Sequence, residues 1–78
     1  YFPLSDEYAI YEVPVPRAWA GKSIGELDVR RRHHLNILGI KAGDRIDLNI
    51  SAQTILDANA AVLVAGRQED VDRATSEK

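Results

Sequence analysis

The sequence predicts an α+β domain of about four strands with short helices between them. Three patterns carry that expectation. Residues 45–50 (RIDLNI) alternate polar and apolar side chains with the period of two that a strand requires. Two short apolar runs, 35–40 (LNILGI) and 61–66 (AVLVAG), have the length of strands rather than helices. Helix-start signals at Ser23 and Asp28, and a polar C-terminal stretch, place helical pieces between and after them.

In chain order, the first strand begins near Tyr8. Tyr8, Ile10 and Glu12 alternate with Ala9, Tyr11, Val13 and Val15. Pro14 and Pro16 lack the N–H a sheet ladder needs, so the strand stops there or lies on an edge. Tyr1 and Phe2 read as a frayed end or an interface contact. Trp19, the single tryptophan, either caps the core with its large apolar surface or offers a stacking platform for a base. Ser23 and Glu26 have the spacing of a reciprocal capping box, and Ile24 and Leu27 share one face of the short helix it starts. Asp28 is a second N-cap candidate. Residues 35–40 form a central strand, KAGD (41–44) a turn, and 45–50 a strand with Ile46, Leu48 and Ile50 inward. Residues 51–59 read as a loop or one helical turn packing Ile55 and Leu56. Residues 61–66 read as a strand buried on both faces. The tail is a polar helix that docks through Val71 and Ala74 alone, with fraying expected over 74–78.

Seventy-eight residues make a single domain, 1–78, with a small core, so association is expected. The absence of cysteine excludes disulfides and thiolate metal sites. A net charge of −2 argues against a general nucleic-acid binder, and no DNA or RNA partner is expected. No apolar run approaches the roughly 20 residues of a membrane span. The first residue is not methionine, which suggests a piece of a longer protein.

The chemistry-bearing residues cluster between 28 and 36. Most arginine runs are solvated faces, and Arg31 and Arg32 read that way. Arg30, two residues past Asp28, can grip a phosphate with paired N–H donors. His33 and His34 are adjacent and lack the i, i+4 spacing of a helical metal site, so no metal is expected. One of them can meet a ligand, or simply end a helix. Asn36 inside an apolar strand either satisfies neighbouring backbone or faces a pocket and reads a base edge. No nucleophile elbow, Walker A loop or dinucleotide-binding glycine pattern occurs, and no catalytic residue is expected.

The stretch GKSIGELDVRRRHHLNILGIKAGDRI (21–46) resembles the core of the RCK C-terminal domain, also called TrkA-C. The matching positions are Gly21, Lys22, Ser23, Ile24, Glu26, Leu27, Asp28, Val29 and Arg30, and the similarity runs from about Tyr8 to Arg73. The chain departs from the family at Ala52, where proline is common, and at Asn59–Ala61, where Gly-Asp is usual. The resemblance implies a short mixed sheet of about four strands in a symmetric homodimer, without enzymatic activity or cofactor. It implies a cytoplasmic regulatory domain of a potassium transporter, channel or cation antiporter. Through the full-length protein, such a domain lies at the inner face of the membrane beside its transporter subunit. It further implies cyclic di-AMP as ligand at the two-fold interface. Ile24, Asp28, Val29, Arg30, Asn36, Ile37 and Ala52 would contact it, with Arg32, His34 and Leu35 as additional candidates. Two alternatives are a ligand-free dimerisation module, with Arg30 paired to Glu26 or Asp28, and a sensor of another small anion or ion.

Overall fold

In a computed structural model of the chain, which describes residues 1–76, five strands form one sheet with helices on one side. The strands are β1 (Phe2–Pro3), β2 (Ala9–Pro14), β3 (Asn36–Ala42), β4 (Arg45–Asp47) and β5 (Ala61–Gly66). Their order in the sheet is β1-β2-β5-β3-β4, and every pairing is antiparallel. This corrects the mixed sheet of about four strands. The extra strand, β1, is only two residues long, and its neighbour Tyr1 stacks on Tyr11 with ring centroids 5.3 Å apart.

Register decides which side chains are buried. Tyr11 and Val13 on β2, Val62 and Val64 on β5, and Ile37 and Ile40 on β3 occupy opposite positions across the ladder, so they share one face. That face meets Trp19, Leu27, Val29, Leu35, Leu56, Val71 and Ala74 to form the core. Burying each large apolar side chain there stabilises the fold by about 1.5–3 kcal/mol. Trp19 is 2% exposed, which settles its role as core rather than stacking platform. β5 is not buried on both faces: Val62 and Val64 are fully enclosed while Ala61, Leu63 and Ala65 are half-buried.

The same register overturns the inward assignment of Ile46 and Leu48. Asp47 stands opposite Ile40 and Ile46 opposite Lys41, so Ile46 lies on the face that no helix covers. Ile46 and Leu48 are 55% and 66% exposed. β4 also stops at Asp47, three residues early. A strand's alternation defines two faces without saying which one the core takes. The hairpin turn before β4 holds Gly43 at φ 61°, a conformation glycine adopts without cost.

Helices α1 (Ile24–Leu27), α2 (Val29–His33) and α3 (Gln68–Thr75), with a 3-10 turn at Arg17–Trp19, cover the core. α3 continues through Ala74, which is fully buried, to Thr75. Residues 77 and 78, the end of the stretch expected to fray, lie outside the described residues. Of the pair expected to pack from the 51–59 loop, Leu56 is fully buried while Ile55 is 57% exposed.

Candidate functional site

The site is built where α1, α2 and the start of β3 converge. Ser23 Oγ accepts from the Glu26 backbone N–H at 3.1 Å, and Glu26 Oε1 accepts from the Ser23 N–H at 2.8 Å, completing the capping box. The 51–56 loop satisfies the remaining N–H groups of this helix start. Thr54 O accepts from Ile24 N–H at 2.9 Å, and Ala52 O accepts from Gly25 N–H at 2.8 Å. Helix α1 is thus stitched at its first turn to a loop thirty residues away in sequence.

Asp28 does not cap α2 as expected. It sits in the left-handed region (φ 49°, ψ 49°) and its side chain makes no cap bond. Its carboxylate Oδ2 instead lies 2.7 Å from Arg31 Nε. The left-handed residue breaks what would be one helix into α1 and α2. His34, also left-handed (φ 60°, ψ 31°), ends α2, its N–H donating to Arg30 O at 3.1 Å. The chain then reverses into β3, bringing Asn36 under α2. Arg30 Nε–H donates to Asn36 Oδ1 at 2.8 Å. Of the two alternatives for Asn36, backbone partner or pocket lining, the structure places its oxygen on Arg30 at the pocket wall.

A cleft of about 280 Å³ is lined by Ile24, Gly25, Asp28, Val29, Arg30, Leu35, Asn36 and Ile37. Six of the seven principal candidates, with Leu35 from the additional set, therefore share one concavity. Ala52 is not part of its lining but lies directly against it, through the hydrogen bond to Gly25. Arg32 is exposed and outside the cleft. His34 lines a different hollow, with Tyr8, Arg67 and Asp70. There the Arg67 guanidinium lies 5.4 Å from the Tyr8 ring centroid and ion-pairs with Glu7 at 3.1 Å. The hydroxyl of Tyr8 and the carboxylates of Glu7 and Glu69 hold Arg67 charged, raising its pKa above the ordinary arginine value. That positive charge is already balanced by its carboxylate partners.

Gly25 is the lining residue that sequence reasoning missed. A Cβ there would stand 2.9 Å from Ala52 O and 3.0 Å from Ala52 Cβ, so the wall of the cleft is as close to the loop as backbone allows. The signal was present in the sequence as a glycine inside a capped helix start, where it costs helix propensity.

The opening of the cleft follows from the sheet. β4 pairs only with residues 40–42 of β3, so among the described residues no strand pairs with the outer edge of Asn36 and Ile37. Val29 and Leu35 are 3% and 1% exposed and make an apolar floor. Arg30 and Asn36 are exposed at the rim. An apolar floor with a cationic, hydrogen-bonding rim suits a ligand that joins a flat apolar ring to an anion. Among the described residues no group of three His, Asp or Glu side chains is arranged to hold a metal. No helix there is long and apolar enough to cross a membrane.

Comparison with known proteins identifies the arrangement. The family model described as the TrkA-C domain matches residues 8–78. The chain is similar to Ktr system potassium uptake protein A of Bacillus subtilis (strain 168), 34% identical over 77 residues, covering 99% of this chain and 35% of that protein. It spans about a third of the length of the curated relatives it matches. Among solved structures it is similar to the KtrA Regulator of Conductance of K+ (RCK) C domain in complex with cyclic diadenosine monophosphate. That match has a TM-score of 0.80 and 29% identity over 92% of this chain and 85% of that one. The RCK_C domain dimer of S. agalactiae BusR, in complex with the same nucleotide, shares the fold at TM-score 0.75 and 22% identity, over 86% and 91% of the two chains. BusR in complex with its busAB-promotor DNA shares it at TM-score 0.76 and 23% identity, over 95% of this chain and 38% of that one. The Ktr proteins matched are named for potassium uptake and conductance regulation rather than for a reaction, in keeping with the expected lack of enzymatic activity. With the model covering nearly the whole sequence and the five-stranded fold shared, the chain belongs to the TrkA-C (RCK C-terminal) domain family.

Proposed function

We propose that this domain is a cytoplasmic regulatory module of a potassium transporter or channel. It binds cyclic di-AMP across the two-fold axis of a homodimer, at the inner face of the membrane beside its transporter subunit. The observation that carries the reading is the cleft itself, an apolar floor of Val29 and Leu35 with the Arg30 guanidinium at its rim. At about 280 Å³ it falls at the small end of ligand pockets and is half a site for a dinucleotide. Cyclic di-AMP is itself two-fold symmetric, so an isologous dimer presents one such cleft to each adenosine and one Arg30 to each phosphate. The nucleotide found with the KtrA RCK C domain supports this.

Arg30 also weighs against the ligand-free dimerisation module, whose mark is Arg30 paired to Glu26 or Asp28. Glu26 is committed to Ser23, Asp28 to Arg31, and Arg30 to Asn36. The net charge of −2 keeps nucleic acid outside the proposal, and the likeness to DNA-bound BusR is one of fold alone.

Titration calorimetry of the purified domain with cyclic di-AMP, with cyclic di-GMP as control, tests the reading. The expected result is one nucleotide per two chains and loss of most affinity in Arg30→Ala. Absence of heat with wild type ends it. Binding that survives Arg30→Ala removes the phosphate role of Arg30 and leaves the receptor.

A further inference from the structure

We infer that Asn36 is a positioning residue that acts through Arg30, holding its guanidinium for the anion rather than reading a base itself. This rests on the cleft being an anion site, as proposed above.

The geometry is specific. Arg30 lies on α2 and Asn36 opens β3, six residues apart, and the left-handed turn at His34 folds one over the other. Asn36 Oδ1 takes the Nε–H of Arg30 at 2.8 Å. A guanidinium has five N–H donors in a plane; with Nε–H tied, that plane is fixed and the two terminal nitrogens remain as a fork. Among the described residues no other side chain engages the Arg30 guanidinium. Arg30 is exposed, so without this bond its long side chain is free among many rotamers. Fixing it beforehand lowers the ordering cost that binding would otherwise carry.

The chemistry of the amide also limits what Asn36 offers a ligand. One lone pair of its acceptor oxygen is taken by Arg30, so what Asn36 has wholly free for a ligand is its two N–H donors. Asparagine does what aspartate would not: it holds Nε–H without neutralising the positive charge that the anion needs. Asn36→Asp keeps the hydrogen bond and removes that charge, whereas Asn36→Ala keeps the charge and loses the hold.

A double-mutant cycle with cyclic di-AMP separates positioning from direct contact. Lysine at position 30 has a charge but no Nε–H, so it leaves Asn36 nothing to hold. Asn36→Ala is expected to weaken binding about tenfold in the wild-type background, the scale of one hydrogen bond to a charged group. In the Arg30→Lys background the same change should cost less than about twofold by the same scale. An equal loss in both backgrounds overturns the inference, since Asn36 would then be touching the ligand on its own.

A second measurement needs no nucleotide. In the ¹H–¹⁵N spectrum of the free domain, the Arg30 Hε resonance should be protected from exchange in wild type and in Asn36→Asp. It should broaden into exchange in Asn36→Ala. Persistence in Asn36→Ala overturns the inference even if cyclic di-AMP binds. A wild type that shows the protected Hε but binds no nucleotide overturns the functional reading and leaves the positioning intact.

Discussion

The Gly25 N–H donates to Ala52 O at 2.8 Å, and no space remains between the two residues for a side-chain carbon. Replacing Gly25 with alanine forces the helix away from a backbone carbonyl that cannot rotate aside. Overpacking of this kind costs about 1–3 kcal/mol. Alanine's better helix propensity returns at most ~1 kcal/mol. Gly25→Ala should therefore destabilise the domain by roughly 1 kcal/mol on those scales and weaken cyclic di-AMP binding through the displaced wall. Urea unfolding and calorimetry read the two effects. A stabilised variant would show that the loop yields freely.

The capping box makes a separate prediction. Ser23→Ala leaves the Glu26 N–H without its partner at 3.1 Å, and loss of such a cap costs about 1 kcal/mol. Ser23→Asp retains an acceptor at the same place and should recover most of that stability. Urea midpoints of the two variants compare them directly; equal midpoints would mean the cap contributes little here.

Leu56 and Ile55 are neighbours with opposite fates. Leu56 has no exposed surface, whereas Ile55 is 57% exposed. Leu56→Ala should cost about 2–5 kcal/mol by leaving a cavity, while Ile55→Ala should stay within ~0.5 kcal/mol. Thermal unfolding of both variants measures the contrast. A small effect at Leu56 would contradict its place in the core.

Tyr11 sets an alkaline limit. Burial of its ring, then the proximity of Tyr1 and Asp72, push its hydroxyl above the usual pKa of 10.0. The folded state therefore holds this proton more tightly than the unfolded chain. The resulting stability is fully present below the unfolded value and is lost as pH rises through the raised one. Tyr11→Phe should flatten the decline in melting temperature as pH rises above about 10. Parallel profiles for wild type and Tyr11→Phe would assign the decline to other groups.

What the sequence disclosed, and what it withheld, follows from the range of each interaction. Ser23 and Glu26 are three residues apart, and their reciprocal bonds were legible because the helix alone brings them together. The gathering of Ile24, Asp28, Val29, Arg30, Asn36 and Ile37 followed from a family pattern that the fold reproduces. Ile46 and Leu48 went astray because periodicity separates two faces without naming the covered one. The bond between Arg30 and Asn36 depends on His34 turning left-handed, a conformation few residues other than glycine adopt and one that composition does not announce. Gly25 and Ala52 meet only because the 51–56 loop returns across about a third of the chain.

The ladder between β3 and β5 shifts register between Ile37 and Gly39, so Leu38 has no partner across it. That irregularity lies on the stretch of β3 that β4 leaves uncovered. A guest peptide trying to zip onto this rim would find its row of main-chain groups out of step after two residues. Extension of the sheet by strand addition is thereby discouraged at the mouth of the cleft, and whatever docks there must engage side chains first.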